Sequence, residues 1–544
     1  MNTVSPGRGA ALLLALIVCG SHSMATAAAQ PDSTTWYVSA TAPAGGAGSA
    51  ESPFDSLARA EAASREGDTI VVQPVAPTAP ALDGGIALKP GQRLIGGGPA
   101  VIGAPGGSAL PRITNTTGNH DGDAVRLANG VEVSNLVIAG AQRGGIYGHD
   151  AADVVISGND VSQTNRQCAD GFMIGPFTLP PTLPLGVSAP PLPNFITLNN
   201  GWAAIMTDYS AAATTVRIEG NDVHDTACGD GIDLRAHGAS RVTARLAGNS
   251  TRNINLGLVK LSVLAAGLQA GDSARLTAEL TGNSQTEIAP LSTTILNKLA
   301  DSEGIFVNAL GQARMDVTIA DNRFRNGYGN FSANGLEYVS TSGTPDSRVT
   351  VTDSSFDTVE GDIIENYNLS TEGARMALTL TDVSAHHSEF PAGALLNPVV
   401  PANLGSCVVT TNMGRSGATE LTIADSDFGQ CAADGIGLIA YTPSGAGPST
   451  ARLAFDIRDT TIDGVAANGI NIVNIGDTAV LRGTVERTAI TGARQRLIHT
   501  SSSGGAIADA ALEFGPGTLD GAAVGCLAEA HSRTDLSGIP AFCG

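Results

Sequence analysis

The stretch DTACGDGIDLRAHG, residues 225–238, holds the most suggestive pair of carboxyls in the chain, Asp230 and Asp233. Two carboxyls about 5 Å apart can cleave a glycosidic bond with retention, and about 6.5–9.5 Å apart with inversion. Residues i and i+3 on one strand face opposite ways. The pair can therefore cooperate only if the chain bends between its members, and Gly231 can supply that bend. An acid or amide followed by glycine recurs at Asp230, Glu303, Asn334, Asp434 and Asn468. Stacked along one edge these groups form a polar stripe. It reads either as a solvated row of turn formers or as a groove for a glycan or for Ca²⁺, which takes several oxygen ligands. Arg217, Arg235, Arg241 and Arg245 crowd the same region. Abstraction of a proton next to a uronate carboxyl would use such cations. Ion pairing on a surface accounts for them equally well.

The segments that must position these groups repeat. Short alternating or β-branched runs end in a turn at VVISGNDV (154–161), VRIEGNDV (216–223), ARLAGNST (244–251), AELTGNSQ (278–285) and VTIADNRF (317–324). Weaker copies follow at 349–356, 378–385, 421–428 and 454–461. From the second copy onward the turns recur every 28 to 43 residues. A second strand often follows each, as in DGIDLRA (230–236) and DGIGLIA (434–440). Periods of this length mark a solenoid. Successive coils then pair strand on strand, about 4.8 Å apart. The Asn of each turn tolerates left-handed backbone geometry, and stacked Asn side chains can bond along the axis. FTLPPTLPLGVSAPPLPN (177–194) holds six prolines, cannot be sheet, and must leave the coil as a loop near Cys168. The stretch 256–272 is read as two strands and a turn.

The strand–Gly-Asn–strand repeats resemble the right-handed parallel β-helix of the pectin-lyase-like superfamily. So does WYVSATAPAGGAGSAESPFDSLARAEAASREGDTIVVQP (36–74), with its aromatic-Tyr-Val strand, Gly/Ser-rich loop, S-P-F, short helix and G-D-T-I. The resemblance covers about 36–510 and implies an all-β, single-stranded right-handed parallel β-helix with a short N-terminal capping helix. Pro53 would start that helix at roughly 54–65, with Phe54, Leu57 and Ala60 on one face across the open end of the column. Polygalacturonases of the superfamily carry an aspartate pair, then G-H-G, then R-I-K on successive coils. The counterparts are Asp230 and Asp233, AHG with His237, and LVK with Lys260. His237 lies on the same coil as the aspartates, and no Arg stands two residues before Lys260, so the match departs from that pattern. The alternatives are a turn histidine and a surface lysine.

The totals agree with an exported solenoid. Of 544 residues, 42% are apolar and only 15% charged, with 51 Asp and Glu against 30 Lys and Arg. The formal charge of −21 repels phosphate backbones and argues against nucleic-acid binding. Residues 1–29, with Arg8, the apolar run ALLLALIVCG and A-x-A sites, read as a secretory signal peptide. The expected layout is signal peptide 1–29, strand and capping helix 30–75, β-helix 76–510 and C-terminal cap or tail 511–544. No later window reads as a transmembrane segment. Six cysteines remain, and the preferred pairs are Cys168 with Cys228, Cys407 with Cys431, and Cys526 with Cys543. No cofactor is required, and Ca²⁺ is the one the stripe could take. Two functions follow. One is a non-catalytic envelope or extracellular protein, secreted or periplasmic, that binds a polysaccharide or cell-surface glycan or serves a structural role. The other is a polysaccharide lyase or glycoside hydrolase with a lateral groove near 228–260.

Overall fold

The computed structural model describes residues 33–97, 110–178, 195–254, 259–286, 303–327, 334–370, 372–388, 405–413, 416–441, 451–475, 480–503, 510–514, 527–529 and 534–535. The expected signal peptide, Cys526 and Cys543 lie outside these residues. The described chain winds through three all-parallel sheets of 16, 12 and 14 strands, here A, B and C. One coil runs Ala213–Glu219 in A, Asp222–His224 in B and Ile232–His237 in C. The next repeats it at Arg241–Ala247, Ser250–Arg252 and Val259–Gly267. This is a right-handed parallel β-helix, the hand that twisted strands impose on parallel connections.

Sheet A alternates as its sequence does. In Ala213–Glu219 the inward Thr214, Val216 and Ile218 are buried, while Ala213, Thr215 and Arg217 face water. Its inner residues join those of B and C in one apolar column that runs the length of the described coils. Sheet C differs. Ile205–Tyr209, Ile364–Asn368, Val408–Asn412 and Ile436–Tyr441 are buried at every residue, hence on both faces.

The A-to-B bend carries an asparagine ladder. Asn159, Asn221 and Asn249 each donate Nδ2 to the Oδ1 of the next coil's Asn, Asn221, Asn249 and Asn283, at 3.0 Å. Asn283 continues it through its backbone N–H to Asn322 Oδ1, 2.9 Å. The same amides cap sheet-A carbonyls of the preceding coil, as in Asn249 Nδ2 to Ile218 O at 2.8 Å. The left-handed residue is not the asparagine, contrary to the sequence expectation. It is the residue before, Gly220 (φ 63°), Gly248 (62°) or, farther along, Asp321 (56°) and Asp353 (50°). The asparagine must point inward to serve two coils, so its neighbour absorbs the bend. Farther along hydroxyls replace the amide at Ser354, Ser426 and Thr460, while Val383 leaves one rung without a polar side chain. Ser354 and Ser426 each accept one backbone N–H from the coil before, at 3.1 and 3.2 Å. Their own protons, like that of Thr460, go to carbonyls two residues back in the same chain.

The N-terminal helix spans Leu57–Ala63, shorter than 54–65, and buries Leu57 and Ala60. Phe54 is held in a parallel bridge to Val38, so the chain turns helical only beyond it. Lys89 Nζ donates to the carbonyl of Glu61 at the helix's C-terminal end, 2.6 Å. Within 256–272 the described residues form one strand, Val259–Gly267, and then a turn, because the strand pairs along its length with the neighbouring coil. Asp170–Thr178 and Phe195–Gly201 form an antiparallel hairpin inserted between B and C, and the prolines of 179–194 lie outside the described residues. A Cys168–Cys228 disulfide ties its base to the following coil, and Cys407–Cys431 links two buried corners farther on. The strands Ala510–Phe514, Leu527–Glu529 and Thr534–Asp535 extend sheets A and C, so the described part of the tail continues the coil.

Candidate functional site

Sheet C begins each coil with a corner, and the corner sets the chemistry of its outer face. Gly231, Gly335, Gly435 and Gly469 precede the first strand residues there, and Gly304 is the second residue of its strand. A Cβ on Gly435 would lie 2.4 Å from Ile462 Cγ2 and 2.6 Å from the Gly469 carbonyl. The glycine is thus demanded by the core beneath it. The residue before the glycine and the second residue after it then emerge on the same outer face.

Asp230 and Asp233 therefore meet. Both are fully buried, and they hydrogen-bond to each other. Burial and the adjacent Asp230 carboxyl push Asp233 well above the usual carboxylate range. The same corner brings Asp362 against Glu365, which accepts a 3.0 Å hydrogen bond from Tyr367 Oη. Burial raises Asp362 to about 6, against hydrogen bonds from Glu365 and the Ser406 backbone N–H. Each pair thus holds a proton at pH values where an ordinary carboxyl has lost its own.

The polar stripe exists, but its described side chains are not solvated. Asp230, Asn334, Asp434 and Asn468 are all buried. Asp434 accepts from Asn468 Nδ2 at 2.8 Å and from Asn471 Nδ2 at 2.7 Å. Glu303 begins its strand at the same corner, in register with Val259 one coil earlier. Lys260 follows Val259 and occupies the slot that glycine fills in other coils. His237 ends its strand, four residues beyond Asp233, which is about 13 Å of extended chain. It pairs with Asp208 of the preceding coil, Nε2 to Oδ1 3.2 Å, and not with the aspartates.

Asp208 is a hub. Arg235 grips both its oxygens at 2.8 and 3.0 Å, and His149 Nδ1 lies 3.0 Å away. Burial opposes its ionisation, yet the His237 and Arg235 side chains against it hold it well below the usual range. Beside it, Tyr147 and Trp202 pack edge to face at 4.8 Å, with the Arg143 guanidinium 4.0 Å over the indole. Asp123 holds Arg143 through two bonds, 2.9 and 2.8 Å. Among the described residues the Trp202 indole N–H is buried without an acceptor. Tyr147, Trp202, His149 and His237 keep part of their surface in water. Toward the C-terminal coils the face turns apolar, with Phe306, Val339, Tyr367, Val409, Met413, Ile439 and Tyr441 in one buried cluster.

Sequence reading missed Asp123, Asp362, Glu365 and Asp208. Asp123 and Asp362 sit at the corner like Asp230 but precede Ala and Ile instead of Gly. Their signal was an acid two residues before the buried run, not the glycine. Asp208 joins His237 from 29 residues upstream, a separation no local pattern reveals.

Among the described residues no three His, Cys, Asp or Glu side chains converge as a metal site, and no helix is long and apolar enough to cross a membrane. No protein-family model and no curated protein matches the chain. Among solved structures it is similar to the GH136 lacto-N-biosidase from Eubacterium ramulus, at 11% identity. That match covers 86% of this chain and 68% of the other, with a TM-score of 0.24. The fold assignment rests on the three parallel sheets themselves.

Proposed function

We propose that the protein acts on a linear glycan laid along the outer face of sheet C, with the Asp230–Asp233 pair as proton donor. One observation carries this reading. The outer face of sheet C gathers an aromatic pair, guanidinium groups and two carboxyl pairs that hold a proton, whereas sheet A shows water an alternating row of Thr, Arg and acids. A scaffold alone does not need buried carboxyls, which are costly to place. Groups with displaced pKa values concentrate where chemistry is done. The glycan comes from the resemblance to pectin-lyase-like proteins, an argument by analogy. A row of like sites along a solenoid suits a chain-like ligand.

In this reading the protonated member of the Asp230–Asp233 pair gives its proton to the departing glycosidic oxygen as that C–O bond breaks, while a water molecule adds to the anomeric carbon and returns a proton to the carboxylate so formed. Asp208 fixes Arg235 and His237 beside the bound chain, and Trp202 offers a ring face to a sugar. A second reading is a glycan-holding protein without turnover, exported to the envelope or beyond. It is favoured by the contact within the pair: hydrogen-bonded carboxyls are closer than either glycosidase spacing.

The test is a panel of uronans and neutral glycans, followed for reducing ends and for absorbance of unsaturated products, with and without Ca²⁺. Turnover is expected, with loss of about 100-fold or more in Asp233→Asn at a thermal midpoint no lower than the parent's. Binding without turnover establishes the second reading, and absence of both ends the two together.

A further inference from the structure

Sheet A carries a feature on its outer face that sheet C does not share. In register, the first residues of seven successive strands are Arg241, Arg275, Arg314, Asp346, Arg375, Ala418 and Arg452. All five arginines are exposed, and among the described residues none has an ion pair or side-chain hydrogen bond. At the other end of the Arg241 strand the pattern differs, since Glu219 of the preceding strand engages Arg217 beside it at 2.8 Å and Arg245 at 3.1 Å. A groove of about 550 Å³ follows the middle of the row, from Arg275 to Ala418, lined by Arg275, Arg314, Arg348 and Arg375 together with Asp316, Asp346 and Glu420.

Neighbouring strands lie about 4.8 Å apart, so Arg314, Arg375 and Arg452, two strands from one another, repeat about every 9.6 Å. Guanidinium is flat and matches carboxylate or sulfate through two parallel bonds. The row reverses the sign of a chain whose net charge is −21. Its interleaved acids repel a dense polyphosphate but accept hydrogen bonds from hydroxyls. A ligand rich in hydroxyls, with negative groups spaced widely, satisfies both sets.

We propose that this row binds a linear anionic glycan lying along the helix axis, its carboxylates or sulfates meeting successive arginines. The site is separate from sheet C and does not depend on chemistry there. Calorimetry on the full chain, with a polyuronate, a sulfated glycan, a neutral glucan of equal length and a single-stranded oligonucleotide, tests it. The anionic glycans should bind, weakening about tenfold or more between 50 and 200 mM salt. Arg314→Gln, Arg375→Gln and Arg452→Gln combined should weaken them at least tenfold, with a smaller loss for each alone. Arg217→Gln with Arg245→Gln should change nothing. Equal binding of the neutral glucan or the oligonucleotide, or full binding by the triple variant, overturns the proposal. If the triple variant unfolds, the three single variants decide by the same criterion.

Discussion

At the scale of single residues, buried polar groups make this molecule sensitive to small changes. Asn249 accepts from the backbone N–H and Nδ2 of Asn221 and donates to the Ile218 carbonyl. Asn249→Ala leaves those groups buried without it and is expected to cost about 2–4 kcal/mol in urea unfolding. Asn322→Ser should cost less, because the next rung, Ser354, already serves Asn322 through a hydroxyl. Asp362 offers a pH test. Its carboxyl titrates near 6 when folded, against 3.8 ordinarily, so the native state holds the extra proton between those values. Stability therefore falls as pH rises from about 4 to about 6 and levels off above, by roughly 3 kcal/mol for this group. Asp233, also raised, adds to the same fall. Asp208 has the opposite sign, and its contribution is lost only as pH drops below about 4. Asp362→Asn should flatten the slope of urea midpoints between pH 4 and 6, and an unchanged slope would show that this carboxyl is ordinary.

At the scale of elements, two kinds of glycine hold each coil, for different reasons. Gly248 has φ 62° and open space where a Cβ would stand, so Gly248→Ala should cost only about 1–2 kcal/mol of backbone strain. Gly435 has ordinary backbone but no room, with core and backbone atoms within 2.6 Å of that position. Gly435→Ala should cost about 3 kcal/mol or more, because Ile462 and the Gly469 peptide must move. Thermal midpoints of the two variants would rank them, and the reverse order would contradict the steric account of the corner. That corner also explains what the sequence reading could see. Glycine was recognised as a turn former, which describes Gly220 and Gly248 well. Its second role, clearing the core so that residues on either side emerge together, is visible only once sheet B side chains lie beneath it.

At the scale of the whole molecule, the fold was legible because its signal is sampled many times. Alternation, turn and second strand recur in coil after coil, so weak copies such as LTIADSDF (421–428) are carried by strong ones such as VRIEGNDV (216–223). The site was less legible for the opposite reason. Its members occur once each and come from separate coils, as Asp208, His237 and His149 do. Asp230 with Asp233 could be anticipated because both lie in one short stretch around Gly231, whereas Lys260 is placed by the register of its strand and not by its own neighbours.

The ladder has one more consequence. Amide-to-amide links tie the coils from Asn159 to Asn283, and asparagine continues as far as Asn322. The hydroxyl rungs at Ser354 and Ser426 reach the coil before through a single bond each and spend their protons on their own strands. At this bend the windings after Asn322 are therefore more thinly tied to their neighbours than those before it. Loss of structure should begin at the carboxyl-terminal end and travel inward, stalling at the asparagine tier, so that the molecule frays from one side before it melts as a unit.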